Sequence, residues 1–100
     1  MIKNGTRLKS QVCETQVIIV RSSEALDDLR AGGSPMIPVG DEIDTSLALD
    51  DGLAGGTQMG KRYVDGAGAE VLVTNAGAGS LSIGSTPLAI KEAKPLPASD

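Results

Sequence analysis

Histidine, phenylalanine and tryptophan are missing from this 100-residue chain, and cysteine and tyrosine occur once each. Each gap narrows what the protein can do. Without histidine, the chain lacks the side chain that most often moves protons near neutral pH. The one cysteine, Cys13, has no second thiol for an intramolecular disulfide and cannot by itself make a tetrahedral thiolate site. One aromatic ring, Tyr63, offers no stacking platform for bases, and a net charge of −4 offers no phosphate-neutralising surface. Nucleic acid is therefore not an expected partner. No apolar run approaches the length of a signal-peptide core or a membrane span, so a cytoplasmic protein without membrane contact is expected.

What remains is aliphatic. Hydrophobic residues make up 40% of the chain, and most of the large ones are Val, Ile and Leu. Such side chains suit a pleated surface. Thirteen glycines and five prolines punctuate them into short runs. Short strands separated by Gly/Pro turns predict an all-β domain.

Along the chain, residues 12–21 (VCETQVIIVR) form the clearest strand, and residues 22–28 (SSEALDD) suit one helical turn capped by Ser22 or Ser23. Residues 30–40 (RAGGSPMIPVG) read as strand, tight turn and strand edge, because Pro35 and Pro38 cannot donate to a central ladder. Residues 45–52 (TSLALDDG) suit a short helix ended by Gly52, and residues 61–90 suit two or three strands. The expected organisation is a first β half-module at 1–39, an acidic and Gly-rich connector at 40–59, a second half-module at 60–90, and an extended tail at 91–100.

The halves repeat one another. Gly5-Thr6-Arg7-Leu8 matches Gly60-Lys61-Arg62-Tyr63 at an offset of 55, and Val17 to Val20 matches Val71 to Thr74 at 54. Leu29 to Met36 matches Leu81 to Leu88 at 52. Three blocks in the same order, drifting by three residues, predict a duplicated β-unit with loops of unequal length. Val17 to Val20 and Val71 to Thr74 should then be equivalent strands about an approximate two-fold.

The second copy resembles the desulforedoxin-like metal module that also opens desulfoferrodoxin. The resemblance rests on Tyr63, Asp65, Gly68 and Ala69, then Leu81, Ile83, Gly84, Ser85, Pro87 and Leu88. In that family the pattern is Tyr-x-Cys-x-x-Cys-Gly, a hairpin, then Leu-x-Cys-Cys-Gly-x-Pro-Met. Asp65, Gly68, Ile83 and Gly84 stand in the four ligand positions, and none is a cysteine. In the first copy Leu29, Gly33, Pro35 and Met36 keep the closing pattern, with Ala31 and Gly32 in ligand positions. Cys13 lies near the first pair's place, one residue out of register. The resemblance thus implies two small half-modules of rubredoxin-like or zinc-ribbon-like β-hairpins packed together, with no metal, no redox activity and no cofactor. A structural zinc contributes on the order of 10 kcal/mol to such a module. A core shared between the two halves, or between two chains, is expected in its place.

Other motifs fail on inspection. Gly55 to Arg62 lacks the Ser or Thr, and the following helix, that a phosphate-binding loop requires. Residues 66–70 (GAGAE) and 75–80 (NAGAGS) lack the third glycine of a dinucleotide fingerprint and read as hairpin turns. Cys13 has no histidine to act as its base and reads as a small buried residue in a strand. The acidic run at 41–51 lacks a calcium-loop frame and reads as a solvated loop. The tail carries Lys94, Pro95, Leu96 and Pro97, a stiff segment with one apolar anchor, and is the expected partner-binding element.

No catalytic set emerges, so an enzyme is not expected. The expected function is a non-catalytic accessory or interaction subunit, docking on a larger cytoplasmic enzyme or self-associating. Two alternatives are a metal or redox module completed across an oligomer interface and a small-molecule binding domain.

Overall fold

The computed structural model describes residues 2–66 and 68–91. It is all-β. The first half contributes β1 (Arg7–Lys9), β2 (Gln16–Arg21), β3 (Leu29–Ala31), β4 (Ser34–Pro35) and β5 (Ile37–Pro38). The second contributes β6 (Arg62–Val64), β7 (Glu70–Asn75), β8 (Leu81–Ile83), β9 (Thr86–Pro87) and β10 (Ala89–Ile90). Short 3-10 turns lie at Glu24–Asp28 and Asp51–Leu53.

The strands form two antiparallel sheets, one ordered β10-β6-β7-β2-β1-β5 and the other β4-β3-β8-β9. Both orders are palindromic when β1 to β5 are matched with β6 to β10. The matched strands begin 55, 54, 52, 52 and 52 residues apart, which are the offsets of the sequence repeat. Register obeys the same symmetry. Across the β2–β7 seam Ile18 faces Leu72, its own counterpart, with Val17 opposite Val73 and Ile19 opposite Val71. Across β3–β8, Arg30 faces its counterpart Ser82. The irregularities are shared too. The ladder skips Val20 between Ile19 and Arg21, and skips Thr74 between Val73 and Asn75. Main-chain bonds repeat as pairs: Met36 N–H to Leu29 O and Leu88 N–H to Leu81 O, both at 3.0 Å.

The core is common to both halves. Leu8, Val17, Ile19, Leu26, Leu29, Ala31 and Met36 pack with Tyr63, Ala69, Val71, Val73 and Leu81 in one buried cluster. Alternation along β2 and β7 sends Val17, Ile19, Val71 and Val73 inward. Fully burying each such side chain stabilises by roughly 1.5–3 kcal/mol. Seven of these residues come from the first half and five from the second.

The connector packs along the seam rather than swinging free. Asp50 N–H bonds Gly32 O at 3.0 Å, and Ser80 N–H bonds Leu53 O at 2.7 Å, tying the connector to one turn from each half. Gly77 allows the approach nearby, since a Cβ there would collide with the main-chain nitrogen and hydroxyl of Thr15.

Several local expectations change. Residues 45–50 are not helical, and the 3-10 turn begins only at Asp51, where the Asp50 carboxylate caps Gly52 N–H at 2.9 Å. Ser23 is the N-cap of the first 3-10 turn, but its hydroxyl caps nothing and is buried without a partner. The strand expected at 12–21 starts at Gln16 because Val12 and Cys13 are drawn into a turn around Ser10. Between the paired strands β6 and β7, Gly66 lies in a turn and Gly68 takes φ +98°. Residues 76–80 are not a hairpin, because they carry the chain from one sheet to the other.

Candidate functional site

Among the described residues four strands lie at sheet edges: β4, β5, β9 and β10. Each half sends one continuous stretch from the edge of one sheet to the edge of the other, residues 34–38 in the first half and 86–90 in the second. Hydrogen bonding fixes which backbone groups these edges leave open. Ile90 is level with Tyr63, and the next residue, Lys91, donates its N–H to Arg62 O at 2.7 Å. Alternation then turns the N–H and carbonyl of Ile90 away from β6. By the same pattern Val39 N–H bonds Arg7 O, so Pro38 is the outward residue of β5. Met36 N–H to Leu29 O and Leu88 N–H to Leu81 O make Pro35 and Pro87 the outward residues of β4 and β9.

Three of the four outward positions are therefore proline, which has no N–H to offer a further strand. Ile90 is the exception. It is the counterpart of Pro38 at an offset of 52, so equivalent positions of the two halves carry opposite chemistry. The first half is closed further: Gln11 donates to Pro35 O at 2.8 Å and accepts from Asp44 N–H at 3.0 Å, fastening the connector beside that edge. The residue matching Gln11 at an offset of 55 is Gly66, which has no side chain to do this.

Charge anchors the open edge from behind. Glu70 of β7 accepts from Lys91 Nζ at 3.0 Å and from Arg62 at 3.1 Å, while its side chain is only 9% exposed. The Lys91 hydrogen bond holds the carboxyl below its ordinary value, partial desolvation opposes this, and the charges of Lys91 and Arg62 add to the lowering. The residue matching Glu70 at an offset of 54 is Gln16, and that matching Lys91 at 52 is Val39, so the first half has no such anchor.

A second feature is a cleft of about 380 Å³ whose walls include Lys9, Ser10, Cys13, Thr15, Ile43 and Asn75. Cys13 is half-buried and sits in a turn, not in the strand expected for it. Its thiol donates to Thr15 Oγ1 at 3.2 Å and accepts from Gly79 N–H at 3.4 Å. Burial raises the thiol pKa, but hydrogen bonds with the Ser10 and Thr15 side chains and with the Thr15 and Gly79 backbone outweigh it, so the net shift is downward. The thiol thus joins the 10–15 turn to the 76–80 crossing.

The expected partner-binding residues Lys94, Pro95, Leu96 and Pro97 lie outside the described residues. Of the positions that the family resemblance assigns to ligands, Asp65 accepts Ala69 N–H at 2.8 Å, and Gly32 and Gly84 are matched turn residues at φ +63° and +56°. Among the described residues no three Cys, His, Asp or Glu side chains are grouped to hold a metal, and no helix is long and apolar enough to cross a membrane. Comparison with known proteins finds no matching family model, no similar curated protein and no similar solved structure. Reading the residues in order missed the open edge. Its signal was present, because extending the Leu29–Met36 repeat by two residues sets Pro38 against Ile90.

Proposed function

We propose that this protein is a non-catalytic interaction subunit, built from two metal-free desulforedoxin-like halves, that accepts a strand along its β10 edge. The observation that carries the reading is the proline pattern: Pro35, Pro38 and Pro87 close three edges, and Ile90 leaves the fourth able to both donate and accept. Strand addition of this kind draws affinity from main-chain bonds and specificity from neighbouring side chains. The Glu70–Lys91–Arg62 cluster holds the end of β10 on the sheet, so the edge is presented in place rather than frayed.

The test exploits the repeat. Pro38 shows that this fold accepts proline at the position equivalent to 90, so Ile90→Pro removes the outward N–H where the backbone tolerates it. Ile90→Ala removes the same side chain but keeps the N–H. The tagged full-length chain and both variants are incubated with extract of the source cells, and retained proteins are quantified. Wild type and Ile90→Ala should retain a stoichiometric partner, either a larger enzyme subunit or untagged copies of the same chain, and Ile90→Pro should lose it. Equal retention by Ile90→Pro, with circular dichroism unchanged, would overturn the edge as the binding surface.

A further inference from the structure

The open edge also has a chemistry that selects its occupant. Ile90 offers one outward donor and one outward acceptor, and an antiparallel strand related by a two-fold offers the same two groups in reverse. We infer that β10 pairs with β10 of a second copy of this chain, antiparallel and centred on Ile90, so that two six-stranded sheets become one. This rests on the reading of the edge as a binding surface and adds who binds there.

Three observations lead to the second copy. First, the chain already makes this kind of joint twice within itself, centring one seam on Ile18 and Leu72 and the other on Arg30 and Ser82. Antiparallel pairing about a two-fold is how its sheets grow. Second, among the described residues only one edge per chain is open. A self-complementary patch used once per copy closes at two copies and leaves nothing to extend a fibre, because the far edge ends at Pro38. Third, the chain outside the described residues starts at this joint. Nine residues of sequence, 92–100, thus follow this two-residue strand on each chain. The Lys91 ammonium beside the joint is bound to Glu70.

Sedimentation velocity of the full chain over a dilution series reads this out. Wild type should be a dimer that dissociates on dilution, and Ile90→Ala should still dimerise. Ile90→Pro, which deletes both symmetric N–H donors, should associate about tenfold more weakly or worse. Oxidative trapping gives an independent reading that spares the backbone. In a Cys13→Ser background, Ile90→Cys places two thiols at facing positions of a hydrogen-bonded pair, within disulfide reach. Thr74→Cys, exposed in the middle of the sheet, does not. A covalent dimer from Ile90→Cys alone supports the joint. A wild type that stays monomeric throughout, or equal trapping at both positions, overturns it. If the wild type is monomeric and yet loses a different protein from extract on Ile90→Pro, self-pairing fails while the binding edge stands. If neither measurement responds to Ile90→Pro, both readings fail.

Discussion

Ile18 and Leu72 face each other across the central seam, and each is the other's counterpart in the repeat. The strands on either side are matched in order and register about that pair, and the buried cluster draws on both halves. Ile19 and Val73 are counterparts at the same seam, 2% and 1% exposed. Ile19→Ala should cost about 2–5 kcal/mol through lost burial and the cavity left behind. Urea unfolding should stay a single transition for wild type and variant. Two separable transitions would mean that the halves fold independently.

Glycine is required at one connection and dispensable at another. A Cβ on Gly77 would meet the backbone nitrogen of Thr15, whereas one on Gly66 meets nothing within 4 Å, and neither residue has positive φ. Gly77→Ala should therefore destabilise by about 1–3 kcal/mol, as overpacked sites do, and Gly66→Ala should be close to neutral. Thermal melting of the two variants side by side measures the contrast.

The anchor behind β10 makes stability depend on pH in a defined direction. Glu70 has a pKa lowered below 4.5, chiefly by its hydrogen bond to Lys91. Its contribution is thus complete above that ordinary value and is lost as pH falls through the lower folded-state value. Glu70→Gln should melt below wild type at neutral pH, and the gap should narrow on acidification below pH 4.5. A gap that is constant with pH would remove the charge from the explanation.

The thiol of Cys13 should react as one with a depressed pKa. Thr15→Val removes one of the hydrogen bonds that lower it and nearly preserves shape, and Thr57 Oγ1 keeps its bond from Gly77 N–H at 3.0 Å. The variant's thiol pKa should rise, so alkylation by iodoacetamide near neutral pH should slow and the pH–rate midpoint should move upward. An unchanged midpoint would show that Thr15 does not set it.

Ending the chain after Lys91 should leave the described fold intact, because every residue of the described core lies at or before Ile90. The same truncation should weaken self-association, which sedimentation alongside the full chain would show. Equal association would confine the joint to β10 itself.

Much of this architecture is legible in the sequence, for identifiable reasons. β-branched runs at 17–20 and 71–74 announce the central strands, and the drifting offsets of 55, 54 and 52 carry over into the strand order without change. Four of the five strands in the second half are only two or three residues long, too short for any periodicity, so Thr86–Pro87 and Ala89–Ile90 emerge only from their pairing. Which way an edge residue points depends on register, and register is a long-range property. That is why Pro38 is readable as an edge residue while its counterpart Ile90 is not readable as an opening. The Glu70 cluster joins positions 62, 70 and 91 through three strands and the sheet between them, with no local spacing to reveal it. Cys13 was misplaced because Ser10 turns the chain by accepting two backbone N–H groups, which overrides the strand preference of Val12.

The connector that joins the halves has a consequence beyond tethering. In an assembly of two identical chains, any residue change is made on both sides at once. A proline that shuts one margin shuts both, and a carboxylate that anchors one anchors both. Placing the two units on one chain breaks that constraint. One half can close its edges with Pro35, Pro38 and Gln11 while the other keeps Ile90 and gains Glu70. Covalent linkage thus turns a symmetric scaffold into a molecule with a single handle, and a molecule with one handle makes pairs rather than chains.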